Sequence, residues 1–137
     1  MVIDTNAVLA MWWFADPRVA PLVRAVEERE LRWWASHEMR DELQLVLDRL
    51  QGRASRASGT EVLGRFDHCA HLVPAVSGAP RLRCSDASDQ VFIDLALDRR
   101  ADWLLSRDRA LLKLKRRASA LGLRIAAPDD WQPSAPC

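Results

Sequence analysis

Short blocks of apolar and polar positions along the 137 residues switch between helical and strand-like periods. Val2 and Ile3 open as a strand, and an acid with two small polar residues follows, Asp4-Thr5-Asn6. The apolar stretch from Ala7 to Ala15 is helical in this pattern, with Thr5 and Asn6 able to cap it. Asp16-Pro17 sets an N-cap acid before a proline at N1, predicting a second helix to about Glu30. "LRWWA" (31–35) is a continuous β-compatible run of the kind buried on both faces of a parallel sheet. Ser36 caps a long helix to about Leu50, and "QGRASRASG" forms a turn. A short helix near 60–69 then leads to the strand "HLVPAV", interrupted by Pro74. Ser85 or Asp86 caps a helix to about Arg100, and "DWLLS" (102–106) is a strand. Asp108 starts a helix through "RALLKLK", and "LRIAA" (123–127) is the last strand. Strands alternating with helices predict a three-layer α/β/α fold around a central parallel β-sheet with right-handed crossovers. There is no internal repeat, and residues 1–137 read as a single domain.

In such a sheet, sites form outside the carboxyl ends of the strands. Asp4 and Asp108 both fall there. On the helix after Ser36, Met39, Leu43, Val46, Leu47 and Leu50 lie within an arc of about 100°. Glu42 sits at the edge of that arc, while Asp41 and Asp48 point to solvent. Asp89, Phe92, Ile93 and Ala96 follow i, i+3, i+4, i+7, which puts Asp89 on an inward stripe and turns Asp94 and Asp98 outward. Each acid has a structural explanation by itself. Asp4 and Asp108 suit helix caps, Glu42 can snorkel, and Asp89 favours a helix N-terminus. Together those explanations fail, because two carboxylates about 5 Å apart repel by roughly 3 kcal/mol at an effective dielectric near 20. A cluster of Asp4, Glu42, Asp89 and Asp108 requires cations, and oxygen ligands without histidine suit Mg²⁺ or Mn²⁺.

Composition narrows the alternatives. A formal charge of +1 exerts no global pull toward nucleic acid or membrane, so attraction must be local. Arg81, Arg83, Arg107, Arg109, Lys113, Lys115, Arg116 and Arg117 can supply a phosphate-tracking rim, or a solvated helix face. Cys69, Cys84 and Cys137 show no CxxC spacing, which argues against a disulfide framework and for a reducing cytoplasm. The longest apolar run is too short to span a bilayer and lacks a basic leader, so neither membrane anchoring nor secretion is expected. "HCAH" (68–71) with Cys84 has unusual spacing for zinc. A receiver domain would want an acceptor Asp where the second strand ends at Ala35-Ser36, and a haloacid-dehalogenase-type phosphatase an Asp at Asn6. Trp33 and Trp34, adjacent on a strand, point to opposite faces, both expected under helices. Trp12 and Trp13 diverge by about 100° on a helix, so either both rings are covered by a neighbouring helix of the same chain or one is left near the surface as part of a partner face.

Four segments in order resemble one family. "VIDTN", the spacing S-x-x-M-x-x-E-L-x-x-V-L from Ser36 to Leu47, "CSDASDQVFIDLAL" (84–97) and "ADWLLSRD" (101–108) resemble the PIN-domain nucleases. The nearest branch is the VapC-like toxin component of bacterial toxin–antitoxin systems, and "RIAAPDDW" suits the family's last strand and tail. The resemblance implies an α/β/α fold and a metal-dependent endoribonuclease using Mg²⁺ or Mn²⁺. The family's four acids fall on Asp4, Glu42, Asp89 and Asp108, its small hydroxyl residues on Thr5 and Ser106, and Asn6 completes the opening motif. Asp86 matches an additional acid of this branch. Ser88 and Gln90 stand where relatives often carry further acids, so the occupancy of a second metal is open. The implied partners are an RNA substrate, a small antitoxin and a second copy of the chain. A housekeeping RNA-processing nuclease and a metal-binding module without turnover are the alternatives.

Overall fold

The computed structural model of the chain describes residues 1–53 and 57–133. Part of the "QGRASRASG" turn and Cys137 lie outside those residues. Strand β1 (Val2–Ile3) leads into helix α1 (Thr5–Val8), which continues as a π-helical turn over Leu9–Trp13. A 3₁₀ turn (Pro17–Val19) precedes α2 (Ala20–Glu27), followed by β2 (Trp33–Ser36) and α3 (His37–Leu50). Helix α4 (Gly59–Cys69) passes directly into β3 (Ala70–Val73). A 3₁₀ turn (Ala87–Asp89) opens α5 (Gln90–Asp98), and β4 (Trp103–Leu105) follows. Helices α6 (Arg109–Leu112) and α7 (Lys115–Ala120), β5 (Arg124–Ala126) and a last 3₁₀ turn (Pro128–Asp130) complete the order.

The strands pair in parallel as β1–β4–β5 and as β2–β3. Met1 joins the two ribbons: its nitrogen donates to Arg32 O at 2.8 Å, and its carbonyl accepts from Trp34 N at 2.9 Å. One residue bonding to two positions either side of its opposite number is the parallel pattern. The strands therefore run in the order β3-β2-β1-β4-β5, an α/β arrangement with a parallel sheet.

The pleat of β2 shows how the sheet is covered. Trp33 is 1% exposed, its ring 5.9 Å from Trp12 and 5.0 Å from Phe66 of α4. Trp34 points to the opposite face, where the Arg99 guanidinium, just after α5, lies 5.0 Å from its centroid. Helical segments thus lie on both faces, with the core between them. Trp34 remains half-buried, so the expectation of two covered rings holds for Trp33 alone.

Several boundaries differ from the sequence reading for identifiable reasons. Asp4, not Thr5 or Asn6, caps the first helix, because its carboxylate accepts the Thr5 N–H at 2.6 Å. Trp12 and Trp13 are both buried, which decides for core over a partner face. Segments α2 and α4 pack against that turn from two sides, and Trp12 Nε1 donates to Glu27 of α2 at 3.2 Å. The exposed ring there is Phe14, at 59%. Strand β3 stops before Pro74, which has no N–H for the ladder. The predicted helix after Asp108 is two helices, with Lys113 and Leu114 between them.

Helices α2, α5 and α7 end alike. After α7, Gly122 (φ 83) sends its N–H to Ser119 O, and Leu123 N reaches back to Ala118 O. After α5 the same pair of bonds, Arg100 N to Leu97 O and Ala101 N to Ala96 O, is built on Arg100 at φ 51. This left-handed C′ position favours glycine, and a β-carbon there costs about 1–2 kcal/mol. Arg100→Gly is therefore expected to stabilise the protein by about 1 kcal/mol after the entropy of glycine is counted, raising Tm by about 4 °C. A thermal melt checks it, and a lower Tm would show that the arginine side chain contributes more to folding than its backbone costs.

Candidate active site

Strand register dictates the centre of the site. Val2 is paired with Leu104 and Ile3 with Leu105, so the next residues on each strand, Asp4 and Ser106, lie side by side. Asp4 N donates to Leu105 O, and Ser106 N to Ala126 O, which fixes both backbones at the carboxyl edge. Ser106 is fully buried; its hydroxyl donates to Asp4 Oδ2 at 2.5 Å and accepts the Asp108 N–H at 2.9 Å. Asp108 caps α6 by accepting from Ala110 N at 2.9 Å, so it is both cap and site member. Asp89 arrives at the junction of the 3₁₀ turn with α5 and is 6% exposed.

One carboxylate oxygen from each of Asp4, Asp89 and Asp108 lies within 4.8 Å of the other two. The remaining candidates are arranged around these three. Thr5 Oγ1 donates to Glu42 Oε2 at 2.5 Å, while Thr5 N donates to Asp4 Oδ1. Glu42, from the edge of the α3 stripe, is thus tied to Asp4 through a single residue and stands just outside the three-acid group. Asn6 Nδ2 donates to Asp4 Oδ2 at 3.1 Å, and Asn6 Oδ1 accepts the Arg107 N–H at 3.1 Å. Asp86 is exposed and directs its carboxylate to Ser88 N and Oγ, at 3.0 and 2.6 Å, as the cap of the 3₁₀ turn. It stands outside the three-acid group, although its charge still reaches Asp89. Asp41, Asp48 and Asp98 are exposed, as their helical angles require. Asp94 is half-buried and accepts from Gln90 at 2.9 Å.

Two residues acquire roles that the sequence did not suggest. Gln90 accepts from Cys84 N at 2.8 Å and donates to Leu82 O at 2.8 Å, holding the 82–84 segment against α5. Its position in place of an acid is thereby explained. Arg107 does not join the phosphate rim: its Nη2 lies 2.8 Å from Asp16 and 3.4 Å from Asp129. The other seven rim cations, Arg81 to Arg117, are exposed and form no ion pair among the described residues. Only the three-dimensional structure could pair Arg107 with an acid 91 positions earlier.

Electrostatics explains why the acids are held so firmly. Burial lifts the Asp4 carboxyl to about 6, the Ser106 and Thr5 hydrogen bonds pull against it, and the Glu42 and Asp108 charges add to it. Burial also raises Asp89 far above the usual carboxylate range, followed by its hydrogen bond with Asp108 and the charges of Asp4, Asp108 and Asp86. Asp89 Oδ2 is buried with no hydrogen-bond partner among the described residues. A buried carboxylate oxygen without a partner, on a residue grouped with two other carboxylates, suits a cation.

A family model of the PIN domain matches residues 1–110, a span that includes every acid of this site. The chain belongs to the PIN-domain family. The match reaches the family and not its toxin branch. No curated protein and no solved structure matches the chain significantly. PIN domains are nucleases in general, commonly dependent on divalent metals. The site of this PIN domain fits such an ion: its ligands are oxygens only, they come from three separate elements, and one of them lacks any other partner.

The raised carboxyls give a distinctive pH dependence. An acid whose folded pKa exceeds its unfolded value stabilises the fold fully below the unfolded value and loses that contribution as pH rises through the folded one. For Asp4 the window runs from 3.8 to about 6, worth about 3 kcal/mol at most. In EDTA, stability is expected to fall between pH 4 and 7, and Asp4→Asn to flatten the profile. Melting curves across that range check it, and a wild-type Tm that rises steadily from pH 4 to 7 would contradict the burial of a strained carboxylate.

Proposed function

We propose that this PIN-domain protein is a Mg²⁺- or Mn²⁺-dependent endoribonuclease that hydrolyses RNA phosphodiester bonds, and that it is the toxin of a toxin–antitoxin pair. The observation that supports the nuclease reading is the convergence of Asp4, Asp89 and Asp108, with Asp89 Oδ2 buried and unpartnered among the described residues. Asp4, Asp89 and Asp108 would hold the metal, with Glu42 reaching the same site from α3. A bound divalent ion lowers the pKa of a water and neutralises charge on a scissile phosphate. The chain supplies the preorganisation. Ser106, Asn6 and the Thr5 N–H fix the Asp4 carboxylate from three directions, and Thr5 Oγ1 aims Glu42. Arg83 sits in the segment that Gln90 holds, and Cys84 Sγ lies 3.7 Å from Ala110 O of α6. Arg83 and Arg109, adjacent in sequence to Cys84 and Ala110, are exposed, and exposed guanidiniums would attract a polyanion that the acids alone would repel.

The preference for RNA, the antitoxin partner and self-association are supported by the resemblance of the four ordered motifs, and a cytoplasmic location by the spacing of the cysteines. Among the described residues no helix is long and apolar enough to cross a membrane. The match over residues 1–110 supports a PIN domain as the unit, and we extend that unit to residue 137.

Purified protein is expected to cut single-stranded RNA with Mn²⁺ or Mg²⁺, to spare matched DNA, and to stop in EDTA. Asp4→Asn and Asp89→Asn should each lower the rate at least a hundredfold while retaining a cooperative melt. Glu42→Gln should cost far more than Asp41→Ala, which points to solvent on the same helix and should change the rate less than about threefold, roughly 0.65 kcal/mol. Full activity in Asp89→Asn would end the site assignment. Co-expression with the product of an adjacent small reading frame should abolish any growth arrest caused by the protein, and a persistent arrest would remove the toxin assignment.

A further inference from the structure

One cavity among the described residues lies away from the acids. It opens at the amino ends of the strands, among residues preceding β1, β2 and β4, and encloses about 520 Å³. That volume is in the range of small-molecule sites, which run from about 300 to 1,000 Å³. Arg32, just before β2, and Arg99 and Arg100, just after α5, all line it. The guanidiniums of Arg32 and Arg99 lie 5.5 and 5.0 Å from the Trp34 centroid, so two like charges share one indole. Among the described residues none of the three side chains makes a hydrogen bond to a carboxylate. Arg99 Nε is buried without a hydrogen-bond partner, its nearest acid being Asp98 at 3.8 Å. Glu30 and Asp102 line the same cavity but form no ion pair with these arginines.

Arg100 adds an independent observation. Arg29 and Arg100 are two arginines at left-handed C′ positions, with φ of 57 and 51. The Arg29 guanidinium donates to His68 O at 2.8 Å, an internal contact that offsets its strained backbone. Arg100 has no such contact among the described residues, yet it occupies a position where glycine would fit without strain. A strained residue with an idle side chain at a cavity wall points to a ligand.

We propose that this cavity binds a phosphorylated small molecule of nucleotide size, with its phosphate held among Arg32, Arg99 and Arg100. Guanidinium forks match phosphate oxygens in pairs, and an anion between Arg32 and Arg99 relieves their mutual repulsion. Trp103 and Trp131 provide an apolar wall for the remainder of the ligand. The site stands apart from the acids and does not depend on their being catalytic.

Calorimetry on the full chain in EDTA, with 5′-AMP, inorganic phosphate and adenosine as probes, tests this. AMP should bind, phosphate more weakly, and adenosine at least tenfold more weakly than AMP. Arg100→Gly should lose at least tenfold in AMP affinity while its melting temperature rises, so lost binding cannot be lost folding. Arg32→Gln should weaken AMP similarly with an unchanged circular dichroism spectrum. Asp89→Asn should bind AMP as the wild type does, whatever its effect on RNA cleavage. No binding of AMP or phosphate at millimolar concentration would overturn the proposal. Equal affinity for AMP and adenosine, wild-type affinity in both arginine variants, or loss of AMP binding in Asp89→Asn would do the same.

Discussion

Bringing buried Asp4 and Asp89 and half-buried Asp108 within 4.8 Å of one another is the constraint to which the surrounding structure responds. Each pair of charges at that separation repels by about 3 kcal/mol, and burial adds to the cost. Side chains alone would swing apart. They stay because the backbones beneath them are paired in the sheet and because hydroxyl and amide groups hold the Asp4 carboxylate in place. Arg107 extends this hold outward. Its N–H is bound by Asn6, and its guanidinium ties the loop carrying Ser106 and Asp108 to Asp16 and Asp129. Asp16 is held well below the usual carboxylate range, first by its hydrogen bonds to Arg18 and then by Arg107. This outer pair is partly buried, and it places the loop relative to the Asp16 and Asp129 segments.

The two ends of the sheet differ in chemistry. Three carboxylates converge where the strands end, while Arg32, Arg99 and Arg100 share a cavity with Glu30, Asp102 and three tryptophans where they begin. A formal charge of +1 conceals this separation, because whole-chain charge averages over both ends. The central layer between them is an aromatic and aliphatic core, with Trp33 packed on Trp12 and Phe66. Such packing leaves little freedom for the strand ends to shift relative to one another.

Element types were legible in the sequence because they depend on local period and on caps. Ser36, Asp16 and Asp108 each cap where an N-cap residue precedes an apolar period, and β2, β4 and β5 lie within the predicted apolar runs to within a residue. The inward direction of Asp89 followed from its spacing to Phe92 and Ile93. What remained hidden was long-range or conformational. Gln90 bonding to Leu82 and Cys84 depends on how a loop folds back, and Arg107 reaching Asp16 depends on tertiary closure. The burial of both Trp12 and Trp13 required knowing that helices cover that segment from two sides, which an isolated helical angle cannot report. Arg100 in the left-handed region gives no sequence signal, since glycine is the residue that marks such a turn.

The hydrogen bond from Ser106 to Asp4 spans 102 positions. A chain synthesised from its amino end must therefore extend past Ser106 before that bond can form. Until β4 docks beside β1, Asp4 has neither its hydroxyl partner nor Asp108, and the acids remain dispersed along an open chain. Contacts this distant in sequence form late, after the entropy of closing the long intervening loop has been met. On the ribosome, the site's assembly is thereby coupled to completion of the fold, and a truncated or half-folded chain carries the acids without the geometry that gives them chemistry.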